Sequence, residues 1–205
     1  FLRMASVGLA KSQLSLMLNE QDIYRCICMA LMSEINADYI YMLLFDGKKD
    51  QFTPCFGQSA GGQAISLAHN PVSSSVLKYV KKKREAVLSI DPPNDIRFAS
   101  DSVTIRKTQK VICVPVVAQE DLLGVVYMAV VDKNKAFTEE DLQLLAGVAH
   151  SSSLAIMNCR LLKRNIANER LAALGTTAAS LSHYIKNILT GVDGCLYLLR
   201  MGIDD

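Results

Sequence analysis

The run Arg170–Leu199, RLAALGTTAASLSHYIKNILTGVDGCLYLL, limits what this chain can fold into more than any other stretch. Leu171, Leu174, Ala178, Leu181, Ile185, Ile188, Val192, Cys195 and Leu199 recur at alternating intervals of three and four residues. Over about four heptads that is the seam of a left-handed coiled coil or helical bundle. A single helix cannot bury such a stripe, so a homodimer is expected. With Leu171 at heptad position a, His183 falls at f, away from the seam, and Tyr184 at g. Asn187, one turn on, shares the histidine's face, and Lys186 flanks it. Near neutral pH an imidazole offers an unprotonated nitrogen as nucleophile. By spacing alone, a plain surface histidine on an amphipathic helix fits as well.

Those residues carry a resemblance. SLSHYIKN resembles the H-box of sensor histidine kinases: a serine, the phosphoacceptor histidine, an acidic residue, two further positions, then asparagine or threonine and often proline. Ser182, His183 and Asn187 match that pattern position by position. The resemblance implies that His183 is the phosphoacceptor and that Asn187 helps to orient phosphotransfer or dephosphorylation. Two positions depart from it. Tyr184 stands where the acidic neighbour of the imidazole is expected, and Ile188 stands where proline commonly bends this helix, so a straighter helix is expected. Nothing in the chain resembles the ATP-binding domain of such kinases. ATP and Mg are expected only with that domain, and the chain alone is expected to be inactive.

The formal net charge of +2 gives no strong field for nucleic acid or an anionic membrane, and neither is expected as a partner. Lys81, Lys82, Lys83 and Arg84 read as a solvated helix end, where cations complement the helix dipole. The cysteines, Cys26, Cys28, Cys55, Cys113, Cys159 and Cys195, form no CxxC pair and have no histidine at zinc-ligand spacing. No metal site is expected, and a reducing, cytoplasmic compartment fits. No stretch approaches the apolar length that spans a bilayer, and no secretory signal pattern is present. The chain starts at Phe1 and stops just after the H-box-like helix, so it is expected to be part of a longer protein.

Taken in order, Leu2–Leu18 reads as a helix, and Asn19 caps a second one that runs through Ile23, Ile27, Leu31 and Glu34 and stops near Asn36. Tyr39–Phe45 is a strand with Gln51–Phe56 as its hairpin partner, joined at Asp46-Gly47. Pro54 removes a backbone donor and belongs at an edge or a bulge. Gly57–Asn70 reads as loop; then Ser73, Ser74 or Ser75 caps a short helix, Val76–Lys83. Ala86–Ile90 is a third strand, ended by the prolines of 91–94. Ile96, Phe98, Val103 and Ile105 suggest irregular or short helical packing. Lys110–Val117 and Leu122–Val131 are strong strands joined by a tight turn, expected to pair antiparallel. Thr138, with Asp141 at the capping-box distance, opens a long helix. Its stripe Leu145, Val148, Ser152, Ala155, Cys159, Leu162 and Ile166 falls out of phase with the later seam near Asn168.

Asp22–Leu162 resembles the GAF domain family, small sensor modules that occur before histidine kinase helices. The match is densest over Ile112–Leu162, where a VPV strand, a turn, an LGVVY strand and an FTEED helix start follow in order, with DIRF at Asp95–Phe98 adding to it. The family implies an antiparallel sheet of five or six strands with helices on both sides, one set packing a dimer and the other roofing a small-molecule pocket. Phe56, Tyr79, Ile96, Phe98 and Cys113 are candidate lining residues. Asn134, Lys135, Phe137 and Asp141 partly match a cyclic-nucleotide signature, but Leu142 replaces its closing glutamate, and they read as a turn and helix cap. Bilin attachment wants a cysteine followed by histidine, which none of the six provides. Haem would need His69 or His150 as axial ligand. The ligand is left open.

The expectation is therefore an α+β chain: an N-terminal helix over 1–19, a GAF sensor over 20–162, and over 163–205 a signalling helix with the first dimerisation helix. The sensor would control autophosphorylation of His183 and transfer to a response-regulator aspartate. The alternative is a non-catalytic GAF module that binds a ligand or dimerises.

Overall fold

Local signals fix where the helices begin. Asn19 opens α1 (Glu20–Glu34), its side-chain oxygen accepting the Gln21 N–H at 3.3 Å. Of the three candidate serines, Ser73 caps α2 (Ser74–Lys83), accepting the Val76 N–H at 3.4 Å. That helix ends on Arg84 in the left-handed conformation, after three lysines in its last turn. Thr138 opens α3 (Glu139–Met201) through a reciprocal box. Its N–H and hydroxyl both donate to Asp141 Oδ2 at 2.9 Å, and the Asp141 N–H donates to Thr138 Oγ1 at 3.2 Å. The shorter aspartate thus performs the role usually taken by glutamate.

The computed structural model describes residues 19–65, 72–90, 95–98, 110–132 and 134–201. The expected helix over Leu2–Leu18, the prolines of 91–94, and Val103 and Ile105 lie outside the described residues. The strands are β1 (Tyr39–Asp46), β2 (Gln51–Ser59), β3 (Val87–Ser89), β4 (Lys110–Ala118) and β5 (Asp121–Val130), and a 3-10 turn covers Ile96–Phe98. They form one five-stranded antiparallel sheet in the order β2-β1-β5-β4-β3. Two sequence-local hairpins, β1–β2 and β4–β5, are joined by the long-range β1–β5 pairing.

Pro54 sits on the edge strand β2 and beside a bulge. Met42 faces Phe56 while Leu43 faces Pro54, which leaves Cys55 as the extra residue. The reading of Gly57–Ser59 as loop is corrected, because these residues continue β2 against Tyr39–Tyr41. Once β5 holds one edge of β1, its other edge offers unpaired donors and acceptors that extend the ladder. Only beyond Ser59 does the chain turn, with an isolated bridge between Gln58 and Ala64.

Alternation along each strand splits the core in two. On one face Ile40, Met42, Ile112, Val114, Val126 and Met128 pack with Ile23, Ile27 and Leu31 of α1 and with the first five turns of α3. Each fully buried isoleucine or leucine of α1 contributes about 1.5–3 kcal/mol by transfer from water. Leu145, Val148, Ser152, Ala155 and Cys159 are all buried here, so this stripe of α3 belongs to the domain's own core. On the opposite face Tyr41, Leu43, Val111, Cys113, Val125 and Tyr127 pack with Val76 and Val80 of α2 and with Phe98.

Packing divides the chain into two units, Phe1–Arg160 and Leu161–Asp205. At the end of the first, Arg160 reaches back to Glu20 on α1, Nη2 to Oε2 at 3.1 Å, and the Tyr24 hydroxyl donates to the same carboxylate at 2.6 Å. In the second, residues 161–197 are exposed throughout. The helix runs unbroken through the phase change at Asn168 and through Ile188. No helix among the described residues is long and apolar enough to cross a membrane.

Candidate functional site

The first candidate lies on the α2 face of the sheet. Tyr127 interrupts the otherwise apolar β5, and its ring is fully buried beside Cys113, its cross-strand partner on β4. A buried phenol needs a hydrogen bond. The Ser73 N–H supplies it, donating to the Tyr127 hydroxyl at 3.3 Å, so the central strand grips the N-cap of α2. Burial pushes the Tyr127 phenol and the Cys113 thiol well above their ordinary values, which keeps both neutral. Ser75, in the first turn of α2, is also buried, and its hydroxyl has no hydrogen-bond partner among the described residues.

Beside this cluster Phe98 is buried against Tyr79, ring edge to face at 5.6 Å. The 3-10 turn is fastened by Asp95, which accepts from the Ser89 hydroxyl at 2.8 Å and from Arg97 Nη2 at 2.6 Å. Arg97 also donates to the Leu88 carbonyl at 2.8 Å. The Arg97 guanidinium holds the Asp95 carboxyl down at about 2, below its ordinary value near 3.9 in an unfolded chain. A depressed carboxyl stabilises the fold fully above the unfolded value and loses that contribution as pH falls through the folded one. The thermal midpoint of Asp95→Asn should therefore lie below that of the parent by a constant amount above about pH 5 and converge on it toward about pH 2. A gap that stays open in acid would show that the carboxylate's charge is not what holds the turn.

Of the five residues expected to line a pocket, Tyr79, Phe98 and Cys113 come together on this face. Phe56 does not, because the bulge at Cys55 places it opposite Met42 on the other face, against the α1 side of the core. Ile96 does not either, being 89% exposed. Tyr127 and Ser75 were not among the expected residues. A lone hydroxyl inside an apolar strand was the available signal for Tyr127; Ser75 was legible only as one of three capping candidates.

The partial nucleotide signature has other work. Lys135 Nζ pairs with Asp38 Oδ1 at 2.9 Å, Phe137 is core, Asp141 closes the capping box, and the Asn134 N–H donates to Asp132. His150 is exposed on α3, and His69 lies outside the described residues. Among the described residues, no group of three or more histidine, cysteine or acidic side chains could hold a metal ion. The six cysteines are thiols rather than disulfides.

The second candidate is on the later part of α3. His183 and Asn187 are exposed on one face of the helix, with the imidazole Nδ1 and the amide Nδ2 of Asn187 3.3 Å apart. Neighbouring hydroxyls turn inward: Ser180 donates to the Thr176 carbonyl and Thr190 to that of Lys186. Tyr184 is 64% exposed and has no hydrogen-bond partner among the described residues. Leu171, Leu174, Leu181, Ile185, Ile188 and Val192 are all exposed, each leaving about half or more of its surface to solvent, an unpartnered apolar stripe on the single chain.

No curated protein matches the chain. Solved structures that resemble it include the GAF domain/HD domain protein from Geobacter sulfurreducens, at 18% identity and a TM-score of 0.55, covering 74% of this chain and 98% of that one. The GAF domain of an Acinetobacter phosphoenolpyruvate-protein phosphotransferase matches at 14% identity and a TM-score of 0.59, covering 78% of this chain and 95% of that one. Free methionine-R-sulfoxide reductase from Neisseria meningitidis, solved with its substrate, matches at 14% and 0.59, covering 78% and 91%. At such identities the likeness establishes the fold alone. The model of the GAF domain family matches residues 18–157, more than half of the sequence, and it spans the five-stranded sheet, its two packed faces and the capping box of α3; the chain belongs to the GAF domain family.

Proposed function

We propose that this chain is the sensory and dimerisation region of a sensor histidine kinase, acting in the cytoplasm. The GAF domain reports through α3 to His183, which takes the γ-phosphoryl group of ATP and passes it to an aspartate of a response-regulator receiver domain. The observation that carries this reading is an exposed histidine, paired with an asparagine one turn on, on the helix that continues out of the GAF core. Ser182 and the seam residues around it complete the likeness to an H-box. The ATP-binding domain with its Mg ion lies outside this sequence. The test supplies such a domain, either in the longer protein or in trans. Acid-labile, alkali-stable phosphate on this chain supports the reading, and its absence with a domain known to be active sinks it.

The ligand-sensing part of the proposal belongs to the α2 face, where the neutral hydroxyls of Tyr127 and Ser75, the Cys113 thiol and the Tyr79–Phe98 ring pair offer hydrogen bonds within apolar walls. The small molecule would be a neutral or weakly polar one, since the buried polar groups that meet there, the Tyr127 and Ser75 hydroxyls and the Cys113 thiol, are uncharged.

The exposed stripe on α3 is proposed to pair with a second copy in parallel. Leu181→Asp places a charge in the middle of that seam, and it should turn a dimer at micromolar concentration into a monomer by sedimentation while the GAF domain keeps its thermal midpoint. A chain that is monomeric before the substitution would remove the homodimer. One feature favours the non-catalytic alternative: Tyr184 stands in place of the acidic residue.

A further inference from the structure

We propose that the β1–β2 turn and the C-terminal end of α2 form one basic cap that rests on an anionic phospholipid surface, a peripheral contact that does not depend on the kinase reading. Lys81 and Asp50, 31 positions apart, bring the two segments together: Nζ meets Oδ2 at 2.5 Å, and the same ammonium stands 5.5 Å from the centre of the Phe45 ring. Around this joint lie Lys48 and Lys49 of the turn and Lys82, Lys83 and Arg84 of the helix end, all exposed. None of the five is in an ion pair among the described residues.

The neighbouring carboxylates have other partners. Asp46 accepts the Lys48 and Lys49 N–H groups at 3.0 and 3.3 Å and so shapes the turn, Asp50 holds Lys81, and Glu85 accepts the Tyr79 hydroxyl at 3.2 Å. Within 46–50 and 81–85, six cations against three carboxylates leave +3, whereas the whole chain sums to +2. The rest of the sequence therefore sums to −1, and the weak overall charge conceals one concentrated patch.

Lysines in the last turn of α2 offset its dipole. That reason does not extend to Lys48 and Lys49, which belong to another element and meet the helix end only in the folded chain. The shape of the cap selects the partner. Lys82, Lys83 and Arg84 are consecutive, so their side chains fan around the helix end rather than converge. A fan cannot close around a small anion, and a rod-like duplex would meet only one side of it. A bilayer spreads its charge over an area, and its potential reaches about a Debye length, roughly 8 Å at physiological ionic strength, so groups on every side of the fan feel it.

Composition agrees with that choice. Four of the five are lysines, point charges suited to a diffuse field, whereas protein interfaces and phosphate clamps favour the fixed fork of arginine. The rings at this end, Phe45 and Phe52, pack on each other at 5.2 Å and are half-buried, which leaves no open platform for nucleobases. Because α2 packs on the sheet face opposite α1, a surface met here leaves α1 clear.

The experiment is co-sedimentation of this chain with vesicles of phosphatidylcholine that contain about one third phosphatidylserine, against vesicles of phosphatidylcholine alone. The chain should sediment with the mixed vesicles only, and raising salt from about 0.05 to about 0.5 M should release it. Lys48→Glu with Lys49→Glu, and separately Lys82→Glu with Lys83→Glu, should each weaken the partition at least about twentyfold, since one basic side chain near such a surface contributes about fivefold. Arg25→Glu with Lys163→Glu makes the same change of charge at exposed sites on α1 and α3 and should weaken it far less. Thermal midpoints that match the parent separate a lost contact from a lost fold. Where a midpoint falls, the corresponding glutamine pairs, which add no negative charge, read the same partition. Equal partition to the two kinds of vesicle, or an equal loss in the Arg25 and Lys163 control, would overturn the proposal. An effect of the Lys82 and Lys83 pair alone would leave an ordinary basic helix end and overturn the two-element cap. Tighter binding to a short DNA duplex than to the mixed vesicles would overturn the membrane and assign the cap to nucleic acid.

Discussion

With an ATP-binding domain supplied, the phosphohistidine label proposed for this chain should fall below detection in His183→Gln, while oligomeric state and thermal midpoint stay unchanged. The size of the effect follows from the role: glutamine has similar polarity but no nitrogen lone pair able to attack phosphorus, so no residual pathway remains at that position. Loss of a nucleophile elsewhere costs about six powers of ten in rate. Because His183 is exposed on α3, the substitution leaves no buried polar group unsatisfied, and its structural cost is within about 0.5 kcal/mol. The measurement is phosphate that survives alkali and is lost in acid, read by autoradiography after the ATP-binding domain is supplied. Label that persists in His183→Gln would move the acceptor to His150 or His69, the remaining histidines of the chain. His150 is exposed on α3 as well, so His150→Gln is the next variant to compare.

A second large effect is expected far from that helix. A Cβ on Gly124 would lie 2.2 Å from the Leu43 carbonyl oxygen and 3.2 Å from both Leu43 C and Leu44 Cα. The obstacle is the backbone of β1, directly across the β1–β5 ladder, and no side-chain rotation relieves it. Gly124→Val must either push β1 away from β5 or shift the register, and that pairing is the one that joins the two hairpins into a single sheet. We expect a loss of about 3 kcal/mol or more, at or beyond the upper end for overpacking, and a thermal midpoint lower by about 10 °C. Gly147→Ala is the control. A Cβ there meets nothing within 4 Å, and a helical glycine replaced by alanine gains about 0.5–1 kcal/mol. The pair of glycine substitutions should therefore shift the midpoint in opposite directions. A Gly124→Val chain that melts with the parent would mean that β1 and β5 do not approach as closely as described.

Element positions were legible from sequence because the forces that set them act over a few residues. Asn19, Ser73 and the Thr138–Asp141 box satisfy helix N–H groups within one turn, and the near-continuous, valine-rich apolar runs Lys110–Val117 and Leu122–Val131 mark strands covered on both faces. Pro54 could be assigned to an edge or bulge because a missing donor is a property of that one residue. Ser59 as the end of β2 was not legible, since its pairing depends on β1 already being held by β5. The exposure of His183 and its shared face with Asn187 were likewise local, one helix face read at a spacing of four.

Contacts between distant parts of the chain were decided only by the tertiary structure. Tyr127 meets Ser73 across 54 residues, and Arg160 meets Glu20 across 140, neither separation leaving any trace in a local pattern. The single extra residue Cys55 turned Phe56 to the other face of the sheet, while Ile96 stayed in solvent as its neighbour Phe98 went into the core. The phase change in α3 marks the same division. Upstream, the stripe Leu145 to Cys159 is spent on the domain's own sheet, and downstream the stripe from Leu171 is left open. Heptad spacing states that a helix face must be covered, because exposed apolar area is unfavourable wherever it occurs; which surface covers it depends on what the rest of the chain brings within reach, and that is settled only when the sheet has formed.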